Sequence, residues 1–357
     1  NVDSLIDHHH LGPHRILCTS LPIFHVNALY FSFLSSLLSG TKLILMESFI
    51  APQIWEVIQD EKVQILSLVP QLIRYMLREK PSPKSFNLSS LEYIVSAAAP
   101  LSQSLVQKFH ETFAKKVIQG YGLSEAVNFS CTFPTQCDKS TYQELVLDSK
   151  IPSIGTALAC NEVVILDRLG KECKQPYIEG EIAIRGANVM RSYRGETNST
   201  QNSNNMLVTG DLGYFIRNKK GEKFFFISGR IKDIIKKNGF TLSLREVDDI
   251  ISEFEPESIQ GIAVPFKGHE EAEDFGIVLS LQHPNQNIDL GDLEKRLYLY
   301  LVSKLPQYLR PSVAILVNQP VFAKNGKVIR PPFAKLFDNF INQNIGRSIR
   351  IFDRRDT

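Results

Sequence analysis

Between residues 16 and 119 the chain alternates short aliphatic runs with amphipathic helical ones, and few folds accept that order. Residues 16–18 read as a strand, 28–38 as an apolar helix closed by Ser39-Gly40, and 41–46 as a second β-like run. A helix over 54–61, a strand over 63–69 and a helix over 71–79, stopped near Pro81 and Pro83, continue the pattern. A strand over 91–96, a helix over 101–112 and a strand over 116–119 complete it. A helix between successive strands returns the chain to the same edge, so neighbouring strands run parallel. The expected fold class is α/β, a parallel sheet with flanking helices.

After about residue 145 the texture changes. Short strands at 162–166, 181–185, 212–217 and 223–228, separated by Gly- and Asn-rich turns, predict a small β-barrel-like subdomain. The polar tract 196–205 reads as a mobile loop. From residue 230 a third style begins. A helix over 246–252, strands over 259–265 and 275–281, a helix over 290–305 and a strand over 313–316 make a small α+β unit. The expected organisation is therefore 1–145, part of the α/β region of a large domain, and 146–229, its β-rich subdomain. A mobile C-terminal α+β domain over 230–340 and a charged tail over 341–357 without an evident partner follow.

A length of 357 residues suits more than one core, and 43% hydrophobic with 22% charged residues is a globular composition. The net charge of +2, without a basic run interleaved with aromatics, excludes a nucleic-acid surface. No apolar run is long enough to span a membrane and no signal peptide is visible. Five scattered cysteines without C-x-x-C spacing read as free thiols of a reducing, cytoplasmic setting. His8-His9-His10 lacks carboxylate or Cys partners at metal-ligand spacing and reads as a polar loop.

The densest chemistry lies in Gln119-Gly120-Tyr121-Gly122-Leu123-Ser124-Glu125-Ala126. Residues 113–119 read as a strand; Gly120 and Gly122 are expected to turn the backbone sharply and close to a ligand. Tyr121 then offers a stacking face, Ser124 a hydroxyl for a phosphate, and Glu125 a carboxylate for a metal. An ordinary surface turn is the alternative. Thr209-Gly210-Asp211 reads as a turn presenting a carboxylate suited to a ribose diol, or bonding only its own backbone. Gly229-Arg230-Ile231-Lys232-Asp233, with Lys236, Asn238-Gly239 and Glu246, reads as an informative run or a solvated linker. Asn325-Gly326-Lys327 sets a lysine after a glycine turn, suited to developing charge, or is a plain β-turn.

Taken together and in order, these pieces resemble the adenylate-forming superfamily of acyl-CoA synthetases, luciferases and nonribosomal adenylation domains. Leu21-Pro22-Ile23-Phe24-His25-Val26-Asn27 is similar to the motif near its acyl pocket, and Ser96-Ala97-Ala98-Ala99-Pro100 to its adenine-lining segment. Gln119 to Ala126 resembles its Y-G-x-[ST]-E motif, Gly180-Glu181-Ile182 its G-E-I element, and Thr209-Gly210-Asp211 its T-G-D. Gly229 to Glu246 resembles the hinge motif, and Asn325 to Arg330 the terminal N-G-K-[IV]-x-R.

The resemblance implies an AMP-forming ligase. It would activate a carboxylic acid with ATP and Mg²⁺ as an acyl-adenylate and pass the acyl group to coenzyme A. It implies that Ala98, Ala99, Pro100, Gly120, Tyr121 and Gly122 line the nucleotide, with Tyr121 stacked on adenine. Asp211 and Arg230 would hold the ribose, Ser124 the α-phosphate and Glu125 the Mg²⁺, with Lys327 neutralising charge during attack. His25 and Gly122 would border the acyl pocket, Lys232 would be the hinge, and Lys236 and Gly239 would meet CoA. Two other outcomes stay open: an acyl-AMP ligase loading the phosphopantetheine of an acyl carrier protein, and a non-catalytic nucleotide- or acyl-binding fragment. The family's Ser/Thr- and Gly-rich phosphate loop ending in Pro-Lys-Gly has no counterpart in these residues, so the chain is expected to be a truncated form, or else a natural short homologue.

Overall fold

The computed structural model describes residues 1–357 except 79–85, 100, 196–200, 202–203, 256–257, 268–272, 283–287, 323–327, 341–347 and 354–357. Two compact units follow one another, Asn1–Ser228 and Gly229–Thr357.

The first unit opens with α1 (Val2–His9) and is built on a seven-stranded sheet. Its strands are β1 (Ile16–Thr19), β2 (Lys42–Leu45), β3 (Ile65–Leu68), β4 (Tyr93–Ser96), β5 (Lys116–Gly122), β6 (Phe129–Thr132) and β7 (Thr156–Ala157), in the order β2-β1-β3-β4-β5-β6-β7. The first five run parallel, while β6 is antiparallel to both β5 and β7. All four residues of β3 and of β4 are buried, which is why these strands read as largely apolar runs, interrupted by Ser67 and Ser96, and not as alternation. The connections are α2 (Ser35–Ser39), α3 (Ala51–Asp60), α4 (Pro70–Arg78) and α5 (Gln103–Phe113). Ser102 caps α5 by accepting from the Leu105 N–H, and Ala114 ends it at φ 53°. Trp55 of α3 and Phe109 of α5 are fully enclosed in the core beneath the sheet. A short α6 (Lys139–Tyr142) follows β6.

A four-stranded antiparallel sheet completes this unit: β8 (Asn161–Leu166), β9 (Gly180–Gly186), β10 (Leu207–Arg217) and β11 (Lys223–Arg230), ordered β11-β10-β9-β8. The ladder between β9 and β10 is irregular between Val208 and Leu212.

In the second unit β12 (Ile234–Lys237) and β13 (Phe240–Ser243) form a hairpin around Asn238-Gly239. Both loop residues have positive φ, 51° and 82°, the primed turn that an Asn-Gly pair favours. Then α7 (Leu244–Ser252), β14 (Ile259–Lys267), β15 (Glu273–Leu281), α8 (Leu290–Lys304), β16 (Val313–Val317), α9 (Pro331–Phe340) and β17 (Ser348–Asp353) build a sheet ordered β14-β15-β16-β17. Alternate residues of β15 face opposite layers. Ile277 and Leu279 pack with α7 and with Leu293, Leu297 and Leu301 of α8, whereas Val278 packs with Phe333 and Phe337 of α9.

The α/β expectation holds, and several local readings change. β5 does not stop at Gln119; it continues through both glycines to Gly122. The apolar helix begins as a π-helix, Asn27–Leu34, before α2. His8 and His9 belong to the last turn of α1, not to a loop; His9 is fully buried and hydrogen-bonds Tyr93 at 3.3 Å. Burial lowers the pKa of both rings, so they pack neutral. The tail is not partnerless, since β17 pairs antiparallel with β16. Most of the tract 196–205 lies outside the described residues. Among the described residues no helix is long and apolar enough to cross a membrane, and all five cysteines are free thiols.

Candidate active site

Because β1, β3, β4 and β5 are parallel, the segments that follow them leave from one edge of the sheet. Leu21 to Asn27, Ala98-Ala99 and Ser124 to Ala126 therefore share the carboxyl edge, where open α/β sheets bind ligands. Tyr121 is in β5 and Asp211 in β10, ninety residues apart, and the fold joins them: Tyr121 Oη donates to Asp211 Oδ2 at 2.9 Å. Both are only 7% exposed, so this bond is made away from water. Burial, reinforced by the neighbouring carboxylate, pushes the Tyr121 phenol well above its ordinary range.

Thr209-Gly210-Asp211 is not a loop turn but lies inside β10, at the irregular stretch of the ladder. Gly210 takes φ 75° and its N–H donates to Glu181 Oε1 at 2.8 Å. Thr209 Oγ1 donates to the Ile182 carbonyl at 2.8 Å and accepts the Asp211 N–H at 3.1 Å. The Gly180-Glu181-Ile182 element thus has a physical task, which is to hold the bulge that aims Asp211 at Tyr121.

The glycines of β5 serve the sheet, not a turn. A Cβ on Gly122 would stand 1.7 Å from the Asn128 carbonyl oxygen, and one on Gly120 would stand 2.5 Å from the Phe129 ring. Close approach of β6 excludes any side chain at both positions. Past Gly122, Ser124–Ala126 form a short 3₁₀ turn that leaves Ser124 exposed and Glu125 half-buried. Val127 follows at φ 72°, ψ −58°, with the Asn128 N–H bonded to the Ala126 carbonyl at 2.9 Å. That is a γ-turn carrying a β-branched residue, a conformation that costs on the order of 1–3 kcal/mol. The segment before the 196–205 tract restrains it: Asn188 Nδ2 donates to the Ala126 carbonyl at 2.7 Å and the Met190 N–H to the Glu125 carbonyl at 2.8 Å. Tyr193 Oη donates to Glu125 Oε1 at 2.8 Å. Nothing in the sequence marks Asn188 or Tyr193, because their partners are more than sixty positions away.

Ala98 is exposed with φ 68° and Ala99 is half-buried; Pro100 lies outside the described residues. His25 is half-buried against the exposed ring of Phe24, 4.5 Å between centroids. Among the described residues no cluster of three or more His, Cys, Asp or Glu can hold a metal. A cation here would rest on Glu125 together with ligand and water oxygens, an arrangement that suits Mg²⁺.

In the second unit Arg230, Lys232 and Lys236 are exposed, while Lys327 lies outside the described residues. The Lys236 N–H donates to Glu273, and Gly239 forms the hairpin tip. Arg330 is tied inward: it pairs with Asp248 of α7, reaches Asp233 at 3.4 Å, and donates through Nε to the Ala263 carbonyl at 2.9 Å. Asp248 also accepts the Ala263 N–H at 2.7 Å. Burial raises Asp248 to about 7, against the pull of Arg330 and of that hydrogen bond.

A family described as "AMP-binding enzyme" matches residues 1–194. The chain is 29% identical to 4-coumarate–CoA ligase 3 of Arabidopsis thaliana over 322 residues, covering 88% of this chain and 54% of that protein. It is 30% identical to a long-chain-fatty-acid–CoA ligase of Bacillus subtilis (strain 168), covering 68% of this chain and 41% of that one. The fold matches ATP-bound MatB from Rhodopseudomonas palustris with a TM-score of 0.78 and 21% identity, over 95% of this chain and 63% of the other. It also matches the O-succinylbenzoate–CoA synthetase of Bacillus subtilis in complex with AMP, with a TM-score of 0.74, 22% identity and coverages of 98% and 65%. The chain spans about half the length of the sequence relatives it matches.

Proposed function

This chain belongs to the AMP-binding enzyme family, and from that premise we propose that it carries most of the site of an AMP-forming acid–thiol ligase. The observation that carries the reading is the buried Tyr121–Asp211 bond, which brings two remote motif segments together beside the Ser124–Glu125 turn. In this reading the acid's carboxylate oxygen attacks the α-phosphorus of ATP; an O–P bond forms, the bond to the β-phosphate breaks, and pyrophosphate leaves. A thiolate, that of CoA in the proposed reaction, then attacks the acyl carbon; a C–S bond forms, the C–O bond breaks, and AMP leaves.

Catalysis of both steps rests on position and charge fixed beforehand. Tyr121, Ala98 and Ala99 would border the adenine, and Asp211 would accept from the ribose hydroxyls, with Arg230 as a second ribose contact. Ser124 would donate to the α-phosphate. Glu125, held by Tyr193, would carry Mg²⁺, which supplies charge neutralisation on the phosphates. Lys327 would neutralise the charge that develops during attack, Lys232 would serve as the pivot, and Lys236 and Gly239 would meet the thiol donor. The CoA ligases among the relatives favour this acceptor.

Carboxylate-dependent ATP–pyrophosphate exchange, with AMP binding by calorimetry alongside, tests the proposal. Exchange abolished by Lys327→Ala with AMP affinity retained is the expected result. Absence of AMP binding to the wild-type chain overturns the reading.

A further inference from the structure

His9 and His10, at the end of α1, take no part in the site described above; with His14, Arg15 and Lys116 they line a cavity of about 440 Å³. Arg15 precedes β1, Glu92 and Tyr93 stand at the start of β4, and Lys116 opens β5. Thr135 and Gln136 follow β6, which runs the opposite way. The cavity therefore lies at the amino edge of the sheet. Tyr121 comes five residues after Lys116 along β5, about 17 Å of strand, so this cavity is separate from the carboxyl-edge site. Its volume falls within the range of small-molecule sites, roughly 300–1,000 Å³.

Charge on its wall is unbalanced. Glu92 is the one carboxylate of the wall among the described residues, and Arg15 already holds both its oxygens, Nη1 to Oε1 at 2.6 Å and Nη2 to Oε2 at 2.9 Å. Lys116 makes no ion pair among the described residues. Its ammonium has a long contact to the Cys137 carbonyl, 3.5 Å, and lies 5.5 Å from the centre of the Tyr142 ring. Two polar atoms behind this wall are buried without a partner among the described residues: Nε of Arg15, and Nε2 of His9, whose Nδ1 meets the Tyr93 hydroxyl at 3.3 Å. Native proteins keep unmatched buried groups rarely, so the wall is not arranged for stability alone.

Grouped histidines suit a metal, but among the described residues no three His, Cys, Asp or Glu come together to hold one. The wall offers instead donors from separate elements: the Lys116 ammonium, the His10 and His14 rings, the Thr135 hydroxyl and the Gln136 amide. A carboxylate presents two oxygens in one plane to such a set. A phosphate group presents three acceptor oxygens in tetrahedral directions, and more negative charge for the unpaired lysine.

We propose that this amino-edge cavity binds the phosphate group of a small phosphomonoester, with Lys116 as its counter-charge. The two sites share no side chain, so this one stands whether or not the carboxyl edge activates an acid.

The test is NMR of the histidine rings of the isotope-labelled chain, titrated at constant pH and ionic strength with glycerol phosphate, inorganic phosphate and acetate. The His10 and His14 signals, assigned with His10→Gln and His14→Gln, are expected to shift and saturate with both phosphates. Glycerol phosphate is expected to bind at least as tightly as the inorganic ion, and acetate at least about tenfold more weakly, for want of a charge-assisted hydrogen bond. Lys116→Met keeps the apolar stem and is expected to weaken phosphate binding at least about tenfold, with the thermal midpoint unchanged. Ser124→Ala, at the carboxyl edge, is expected to leave the shifts as they are. If Lys116→Met does not fold, Thr135→Val decides, with an expected loss of about fivefold. Shifts that do not saturate, that persist undiminished in the folded Lys116→Met or Thr135→Val variant, that vanish in Ser124→Ala, or that acetate matches overturn the proposal. Tighter binding of inorganic phosphate than of glycerol phosphate overturns the monoester.

Discussion

Arg330→Met isolates the buried charge cluster of the second unit. Asp248 is raised to about 7 by burial even with the guanidinium beside it, so removing the cation raises it further. An unfolded aspartate titrates near 3.9, so between about pH 4 and 7 the folded unit holds a proton that the unfolded chain releases. The contribution of Asp248 to stability is therefore full below pH 4 and falls roughly tenfold in the folding equilibrium for each pH unit up to 7, where in the wild type it levels off. Without Arg330 the fall continues past pH 7, because the carboxyl must stay protonated or be buried as an unpaired charge, at about 3–5 kcal/mol. The variant should differ modestly from wild type at pH 6 and increasingly from pH 7 to 9. Asp233, at 3.4 Å, also loses its partner but is less enclosed and contributes less. The only tryptophan, Trp55, lies in the first unit, so its fluorescence does not report on this one. Hydrogen exchange of peptides from α7 and β14, corrected for intrinsic rates at each pH, is the suitable assay. Asp248→Asn combined with Arg330→Met should recover much of the loss at high pH. A loss independent of pH, or no recovery in the double variant, would refute the reasoning.

Gly122→Ala is expected to cost about 3 kcal/mol or more, because its Cβ would overlap the Asn128 carbonyl and force β5 from β6; thermal unfolding and soluble yield report it. Tyr121→Phe removes the bond to Asp211 and should weaken AMP binding by about 1–2 kcal/mol, read by calorimetry, with little change in fold. Ala98→Gly relieves a left-handed backbone and should be neutral to stabilising by up to about 1 kcal/mol in thermal unfolding.

Much of the architecture was legible in order. Helical and apolar runs alternating over residues 16–119 reported a parallel sheet, since β3 and β4 are buried on both faces and are apolar but for Tyr93, Ser67 and Ser96. The Asn238-Gly239 pair announced a hairpin tip. The π-winding of Asn27–Leu34 was not legible, because a buried helix is apolar whichever way it is wound. Nor was the partner of the tail: β17 is short, and only its pairing with β16 makes it a strand.

By itself the sequence determined which groups are present and how each is locally disposed: a tyrosine, a hydroxyl and a carboxylate within five positions, a Thr-Gly-Asp, and a lysine after a glycine. Local pattern and covalent spacing carry that information. Only the tertiary structure decided that Gly120 and Gly122 answer to β6, that Glu181 holds the bulge for Asp211, and that Asp211 meets Tyr121. It also decided that Tyr193 meets Glu125 and that Asn27 is buried without a partner among the described residues. Apart from the two glycines, whose neighbours Phe129 and Asn128 follow closely in the chain, these depend on contacts between residues tens of positions apart, which follow from how the strands stack and which no local window of sequence records.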